Sequence, residues 1–148
     1  MTAGRLVIAS DHAGFPLKEV LRDELQTMGL KVDDLGTHTE DSVDYPDFAE
    51  ALATAIKNGK ADRGVLVCGT GIGIGMAANR HPWIRAAVCH DVTSTRLARA
   101  HNDANVVVMG ARLIGSETAK DCLRVFLETA FDGDRHVRRV DKLAKLPA

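Results

Sequence analysis

Residues 65–75 read Val-Leu-Val-Cys-Gly-Thr-Gly-Ile-Gly-Ile-Gly, and this stretch limits the fold more than any other. Its apolar run, rich in β-branched residues, has the pattern of a strand buried on both faces. The run stops at the thiol of Cys68 and the hydroxyl of Thr70. Glycine takes every second position from Gly69 to Gly75. Met76–Ala77–Ala78–Asn79–Arg80 reads as helix, closed by His81–Pro82. Small residues let a ligand come close to the backbone. A helix start leaves N–H groups free, and its dipole favours negative charge. Two readings of Cys68 stay open on this stretch alone: a small buried hydrophobe, or a reactive group beside an anion-binding turn. The dinucleotide fingerprint is matched only loosely, by Gly73, Gly75 and Ala78, late in the turn. No Gly-Lys-Ser/Thr follows, which argues against a phosphate-binding P-loop.

The remaining chain repeats the alternation. Arg5–Ser10 reads as a strand ending in Asp11–His12–Ala13–Gly14, and Pro16 suits a first helical turn. Leu17, Val20, Leu21, Leu25 and Met28 share a helical face that Gly29 ends. Lys31–Leu35 is a weaker strand, and residues 36–44 form a polar loop. Asp44–Tyr45–Pro46 opens a second helix, closed by Asn58–Gly59. After the glycine stretch come a strand at Arg85–Cys89, a helix from about Val92 to His101, and a strand at Val106–Met109 ended by Gly110. Ser116 starts a long helix that runs to Ala130. A break at residues 131–134 precedes a basic helix over about 135–145. Five strands alternating with helices predict a doubly wound, Rossmann-like three-layer α/β sandwich with a five-stranded parallel sheet. Ligands in such sheets bind beyond the carboxyl ends of the strands. That rule gathers Asp11, His12, Cys68, Thr70, His90, Asp91 and Arg112 at one edge.

At 148 residues the chain is read as one domain, 1–148, large enough for its own core. A net charge of −1 gives no electrostatic case for nucleic acid or a membrane surface. There is no signal peptide pattern and no apolar run long enough to span a bilayer. Cys68, Cys89 and Cys122 are odd in number and far apart, which fits a reducing, cytoplasmic setting and neither a disulfide frame nor a zinc pattern. No group of His, Cys, Asp and Glu shows metal-ligand spacing, so no metal is expected.

Asp11–His12–Ala13–Gly14, Asp44–Tyr45–Pro46, Cys68–Gly69–Thr70–Gly71–Ile72–Gly73, Ala77–Ala78–Asn79, His101–Asn102–Asp103, Gly110–Ala111–Arg112 and Arg135–His136 with Arg139 stand in the order of the ribose-5-phosphate isomerase B family, which the chain resembles from about residue 5 to 140. The wider family includes galactose-6-phosphate isomerase subunits and allose-6-phosphate isomerases. The resemblance implies a doubly wound sandwich that forms homodimers or dimers of dimers. It also implies interconversion of aldose and ketose phosphates without metal or organic cofactor. A tetrose or hexose phosphate is the alternative substrate within the class; a nucleotide-binding regulatory module is the alternative outside it.

Aldose–ketose isomerisation moves a proton between C1 and C2 through a cis-enediolate. It needs a base, donors for the developing oxyanion, an acid/base to open the sugar ring, and a phosphate clamp. By resemblance Cys68 is the base. A free thiol ionises near pH ~8.5, and a helix N-terminus shifts it toward thiolate. Thr70 and the amides from about Gly69, Gly71, Ile72 and Gly73 would stabilise the enediolate. A second branch of the family uses glutamate at the position of Ile74; Ile74 is apolar, so this chain resembles the cysteine branch. Gly75 departs from the serine often found there. His101 resembles the ring-opening acid/base, although alone it is only a polar residue at a helix end. Asp11 and His12 match positions at the sugar and its ring oxygen. Tyr45 and Asn102 match pocket-lining positions. Arg112, Arg135 and Arg139 match phosphate-binding positions; Arg135 and Arg139, four apart, share a helix face and could grip one phosphate. Without the resemblance, that segment is a solvated basic helix.

Cys68 ends a strand, whereas His101 lies at the far end of a helix that runs about 15 Å back toward the opposite sheet edge. If both residues act on one sugar, they are expected to come from different chains across a two-fold interface.

Overall fold

The computed structural model describes residues 4–147. Its elements alternate as β1 (Leu6–Ser10), α1 (Phe15–Thr27), β2 (Val32–Asp34), α2 (Tyr45–Lys57), β3 (Arg63–Cys68), α3 (Ile72–Ala78), β4 (Ala86–Val88), α4 (Val92–Asn102), β5 (Val106–Gly110), α5 (Ser116–Glu128) and α6 (Arg135–Leu143). The five strands pair in the order β2-β1-β3-β5-β4, all parallel. This is the expected doubly wound three-layer sandwich.

Side-chain alternation along the strands builds two cores. Leu6, Ile8, Val65, Val67, Val107 and Met109 face α1 and α5, where Leu21, Leu25, Leu123 and Phe126 cover them. Val7, Ala9, Leu66, Val106 and Val108 face α2 and α3, where Leu52, Ala53, Ile74 and Ala78 cover them. The central strands β1, β3 and β5 are therefore apolar on both faces. The edge strands β2 and β4 are shorter than expected from sequence. Both are partly exposed, because each lacks a neighbour on one side.

The main departure from the sequence reading is α3. It starts at Ile72, not at Met76, so Gly73 and Gly75 are helical. Glycine disfavours helix by about 1 kcal/mol per residue, which is why the stretch reads as a loop. Packing overrides that preference. A Cβ at Gly73 would lie 2.7 Å from Tyr45 Cζ on α2, and one at Gly75 would lie 3.1 Å from Val88 Cγ2 on β4. The glycines let the helix approach its neighbours. At the other end, α6 stops at Leu143, short of the expected 145.

Candidate active site

The strand order reverses between β1 and β3: β2 lies outside β1, and the later strands lie beyond β3. Such a switch point leaves a crevice at the carboxyl ends of the two strands. Asp11 follows β1 and Cys68 ends β3, so these two groups flank the crevice. The Asp11 amide donates to the Val67 carbonyl at 3.3 Å, which ties the two strand ends together. One Asp11 carboxylate oxygen accepts the Gly14 N–H at 2.9 Å, and the side chain is 6% exposed.

Cys68 is buried, and its Sγ accepts the Gly71 N–H at 3.1 Å. That bond closes the turn tightly. Gly71 takes φ 78°, a left-handed conformation that favours glycine. Thr70 is half-buried, and its Oγ1 accepts the Ile72 N–H at 3.2 Å. The amide groups of 69–73 thus form a compact turn around one thiol and one hydroxyl. The Arg112 amide donates to the Gly69 carbonyl at 2.9 Å. Arg112 Nη1 would lie 3.3 Å from a Cβ at Gly69, so the guanidinium lies over the turn. The Tyr45 ring lies against Gly73. His12 Nδ1 accepts the Val43 N–H at 3.1 Å, which links the 36–44 loop to the site. A neutral His12 then carries its proton on Nε2, free to donate.

The other candidates lie elsewhere in the chain. The N-cap carboxylate of Asp91 holds the start of α4 at the carboxyl edge by accepting the Ser94 N–H at 2.6 Å. Eleven helical residues then carry the chain about 16 Å toward the opposite edge, where β5 begins. His101 and Asn102 stand at that far end. The His101 ring stacks on His136 of α6, with centroids 4.4 Å apart and 12° between planes. Arg135 and Arg139 flank His136 on the same helix. The buried Arg99 pins this corner: its Nε donates to the Thr129 carbonyl at 3.1 Å, and its Nη1 donates to Asp103 and to the Ala104 carbonyl. One chain therefore brings together Asp11, His12, Tyr45, Cys68, Gly69, Thr70, Gly71, Ile72, Gly73 and Arg112. It sets His101, Asn102, Arg135 and Arg139 apart from them. The three arginines matched to phosphate binding are split between the two groups. A cleft of 440 Å³ lined by Arg80, Arg85, Asn102 and Leu143 lies on the second side and does not reach Cys68.

A model of the ribose/galactose isomerase family matches residues 6–143. The chain belongs to that family. It is 39% identical to ribose-5-phosphate isomerase B of Escherichia coli, over 96% of this chain and 95% of that protein. It is 44% identical to D-erythrulose-4-phosphate isomerase of Pectobacterium atrosepticum, over 93% and 91% of the two chains. The solved ribose 5-phosphate isomerase of Thermotoga maritima superposes with a TM-score of 0.95 at 48% identity, covering 97% of this chain and 99% of that one. Membership makes the chain an isomerase. No helix among the described residues is long and apolar enough to cross a membrane.

Three groups near these sites receive no role from the sequence: His90, which falls at the same sheet edge, His136, which falls in a matched motif, and Asp132. His90 Nε2 accepts the Gly110 N–H at 2.8 Å and so fixes the end of β5 beside the turn. His136 and Asp132 join His101, and the ligand atoms of the three lie within 4.8 Å of one another. Burial pushes His136 below the ordinary imidazole range, with help from the neighbouring His101, Arg135 and Arg139, while Asp132 opposes the shift. No sequence spacing links residue 101 to 132 and 136; only the packing of α6 on α4 does. Trp83 donates its Nε1–H to the Ala53 carbonyl at 2.8 Å.

Proposed function

We propose that this isomerase interconverts the aldose and ketose forms of a sugar phosphate, most simply ribose 5-phosphate and ribulose 5-phosphate, through a cis-enediolate. The observation that carries the reading is the meeting of a thiol, a hydroxyl, a carboxylate and an arginine around one glycine turn at the sheet's switch point, in a chain of this family.

The Cys68 thiolate takes the proton from one carbon and returns it to the neighbouring carbon. The Gly71 N–H stands ready to meet negative charge on sulfur, at no cost in reorganisation. Thr70 and the turn amides donate to the enediolate oxygens. Asp11 and the Nε2–H of His12 hold the sugar hydroxyls and ring oxygen, and Tyr45 closes the side of the pocket. Arg112 and the pair Arg135 and Arg139 hold the phosphate. None of these three arginines pairs with a carboxylate among the described residues, which leaves their forks for an anion.

His101 opens the sugar ring, and it does so from a second copy of the chain. The separation of His101, Asn102, Arg135 and Arg139 from Cys68 supports a shared site. So does the apolar surface beside the turn, where Ile72, Met76 and Val88 are 50%, 67% and 42% exposed and line one shallow groove. Apolar side chains grouped in this way favour burial against a partner. A homodimer with two composite sites, alone or paired into a dimer of dimers, satisfies both features.

The 44% identity to a tetrose phosphate isomerase favours one second reading, a four-carbon substrate in the same pocket. A panel of tetrose, pentose and hexose phosphates separates the readings. The pentose phosphate is expected to give the highest kcat/KM. No turnover of any member would overturn the proposal.

A further inference from the structure

The turn that carries Cys68 and Thr70 is seated on the end of β5. Cys68 pairs in register with Gly110. The Ala111 N–H donates to the Cys68 carbonyl at 2.9 Å, and the Arg112 N–H donates to the Gly69 carbonyl at 2.9 Å. A Cβ at Gly110 would lie 2.5 Å from the Thr70 carbonyl, so glycine is what lets the two backbones come this close. A Cβ at Gly71, whose N–H meets Cys68 Sγ, would lie 3.0 Å from the Met109 carbonyl carbon. The outer side of this seat has run out of strand. Successive N–H groups of a strand alternate in direction, and the Val106 N–H donates to the Arg85 carbonyl beside β4. The Gly110 N–H, four residues on, therefore points to the same side. There β4 has ended at Val88, and the Cys89 N–H adds one more bond, to the Val108 carbonyl at 3.0 Å. Gly110 is buried, and a buried N–H needs an acceptor. His90 Nε2 supplies it at 2.8 Å, where a longer β4 would have offered a carbonyl.

We propose that His90 is a positioning residue for the isomerisation: it locks Gly110 in place, and through Gly110 it holds the turn that presents Cys68 and Thr70 to the substrate. It acts through the backbone and not on the sugar. An accepting nitrogen holds no proton, so the neutral ring carries its proton on Nδ1. Small displacements of reacting groups are costly: about 1 Å is worth about 10²-fold in rate. The effect on turnover rests on the roles proposed for Cys68 and Thr70; the tautomer and the hold on the turn do not.

Two variants and one measurement on the wild type test this. Nitrogen NMR of the histidine-labelled whole protein at pH ~8, where an imidazole is ordinarily neutral, reads the tautomer. The His90 signals, identified by their loss in His90→Gln, should show a protonated Nδ1 and a bare Nε2. A proton on Nε2 overturns the proposal whether or not any variant folds. The amide oxygen of His90→Gln reaches the place of Nε2, whereas that of His90→Asn stops near the place of Nδ1. His90→Gln should keep kcat within about 3-fold, and His90→Asn should lose about 10-fold or more, with KM little changed in either. Exchange of the Gly110 amide should stay slow in wild type and His90→Gln and quicken in His90→Asn. The rate of Cys68 alkylation should split the two variants in the same way. Unchanged kcat in His90→Asn, equal losses in both variants, or a loss confined to KM overturns the positioning role. A Cys68→Ala protein that stays active defeats the base assignment alone, and the amide exchange then still decides whether His90 holds the turn.

Discussion

At the residue scale, Cys68 carries the sharpest consequence. General base catalysis is worth about 10²–10⁴-fold, so Cys68→Ala should lower kcat by about 10³-fold with KM little changed. Alkylation should inactivate the enzyme, and substrate should protect it. A fully active Cys68→Ala protein would remove the thiol from the mechanism. Cys89 and Cys122 are also buried, and burial pushes both thiols up, so they should stay inert under the same reagent. The clamp makes a different demand. Arg139→Ala deletes charge-assisted hydrogen bonds worth roughly 1.5–3 kcal/mol each, a fall of about 10- to 150-fold in kcat/KM for the phosphorylated substrate. The loss should be much smaller for the unphosphorylated sugar; equal losses on both would make Arg139 structural. Cys68, Asp11 and Arg112 were legible as candidates because strand ends in a parallel sheet converge by rule. The His101–His136 stack was not, since no local pattern records that two distant helices meet.

At the element scale, the chain's α/β alternation was readable because strand and helix periods differ and the breaks fall at Gly, Pro and Asn. The start of α3 was not readable, because glycine spacing signals a loop while the contacts of Gly73 and Gly75 are tertiary. That conflict separates stability from activity. Gly73→Ala adds a methyl 2.7 Å from Tyr45 Cζ, which forces the half-exposed ring to swing away. Helix propensity improves by up to about 1 kcal/mol. Melting temperature should therefore hold or rise while kcat/KM falls, measured by thermal unfolding and turnover on one sample; a matched loss of both would show that the ring cannot move. The link between α1 and β2 makes a second element-scale case. Lys18 is fully buried, and its Nζ lies 2.6 Å from Asp34 Oδ2, whose carboxylate also accepts the Gly36 N–H. Burial alone would raise the Asp34 carboxyl, but the bonds from Lys18 and Gly36 outweigh it and hold the group below its ordinary value. A lowered folded-state value gives stability that is present above the unfolded carboxyl range, about pH 4, and lost as pH falls through the folded value. Acid unfolding below pH ~4 should therefore be shallower in Asp34→Asn than in wild type, from a lower starting stability.

At the scale of the whole molecule, the shared-site proposal rests on the distance between the two edges of the sheet. The turn around Cys68 sits at the carboxyl edge of the sheet, and α4 puts His101 at the other edge. No side-chain rotation spans about 16 Å of helix. The sheet order β2-β1-β3-β5-β4 fixes both ends, so the separation belongs to the fold and not to a loop conformation. Under the shared-site proposal, Cys68→Ala and His101→Asn proteins are each nearly inactive for different reasons. Each homodimer has two broken sites. A hybrid dimer places both defects in one site and leaves the other whole. Unfolding the two together and refolding them at equal ratio makes about half the dimers hybrid, each with one good site in two, so about a quarter of wild-type activity should return. Mass analysis of the refolded mixture reports the hybrid fraction independently of turnover. If hybrids form and no activity returns, Cys68 and His101 serve the same chain's site, and α4 must be able to leave the position it holds in the folded chain. If activity returns in proportion to the hybrids, the distance between the two edges of the sheet is itself the reason that this chain works as a pair.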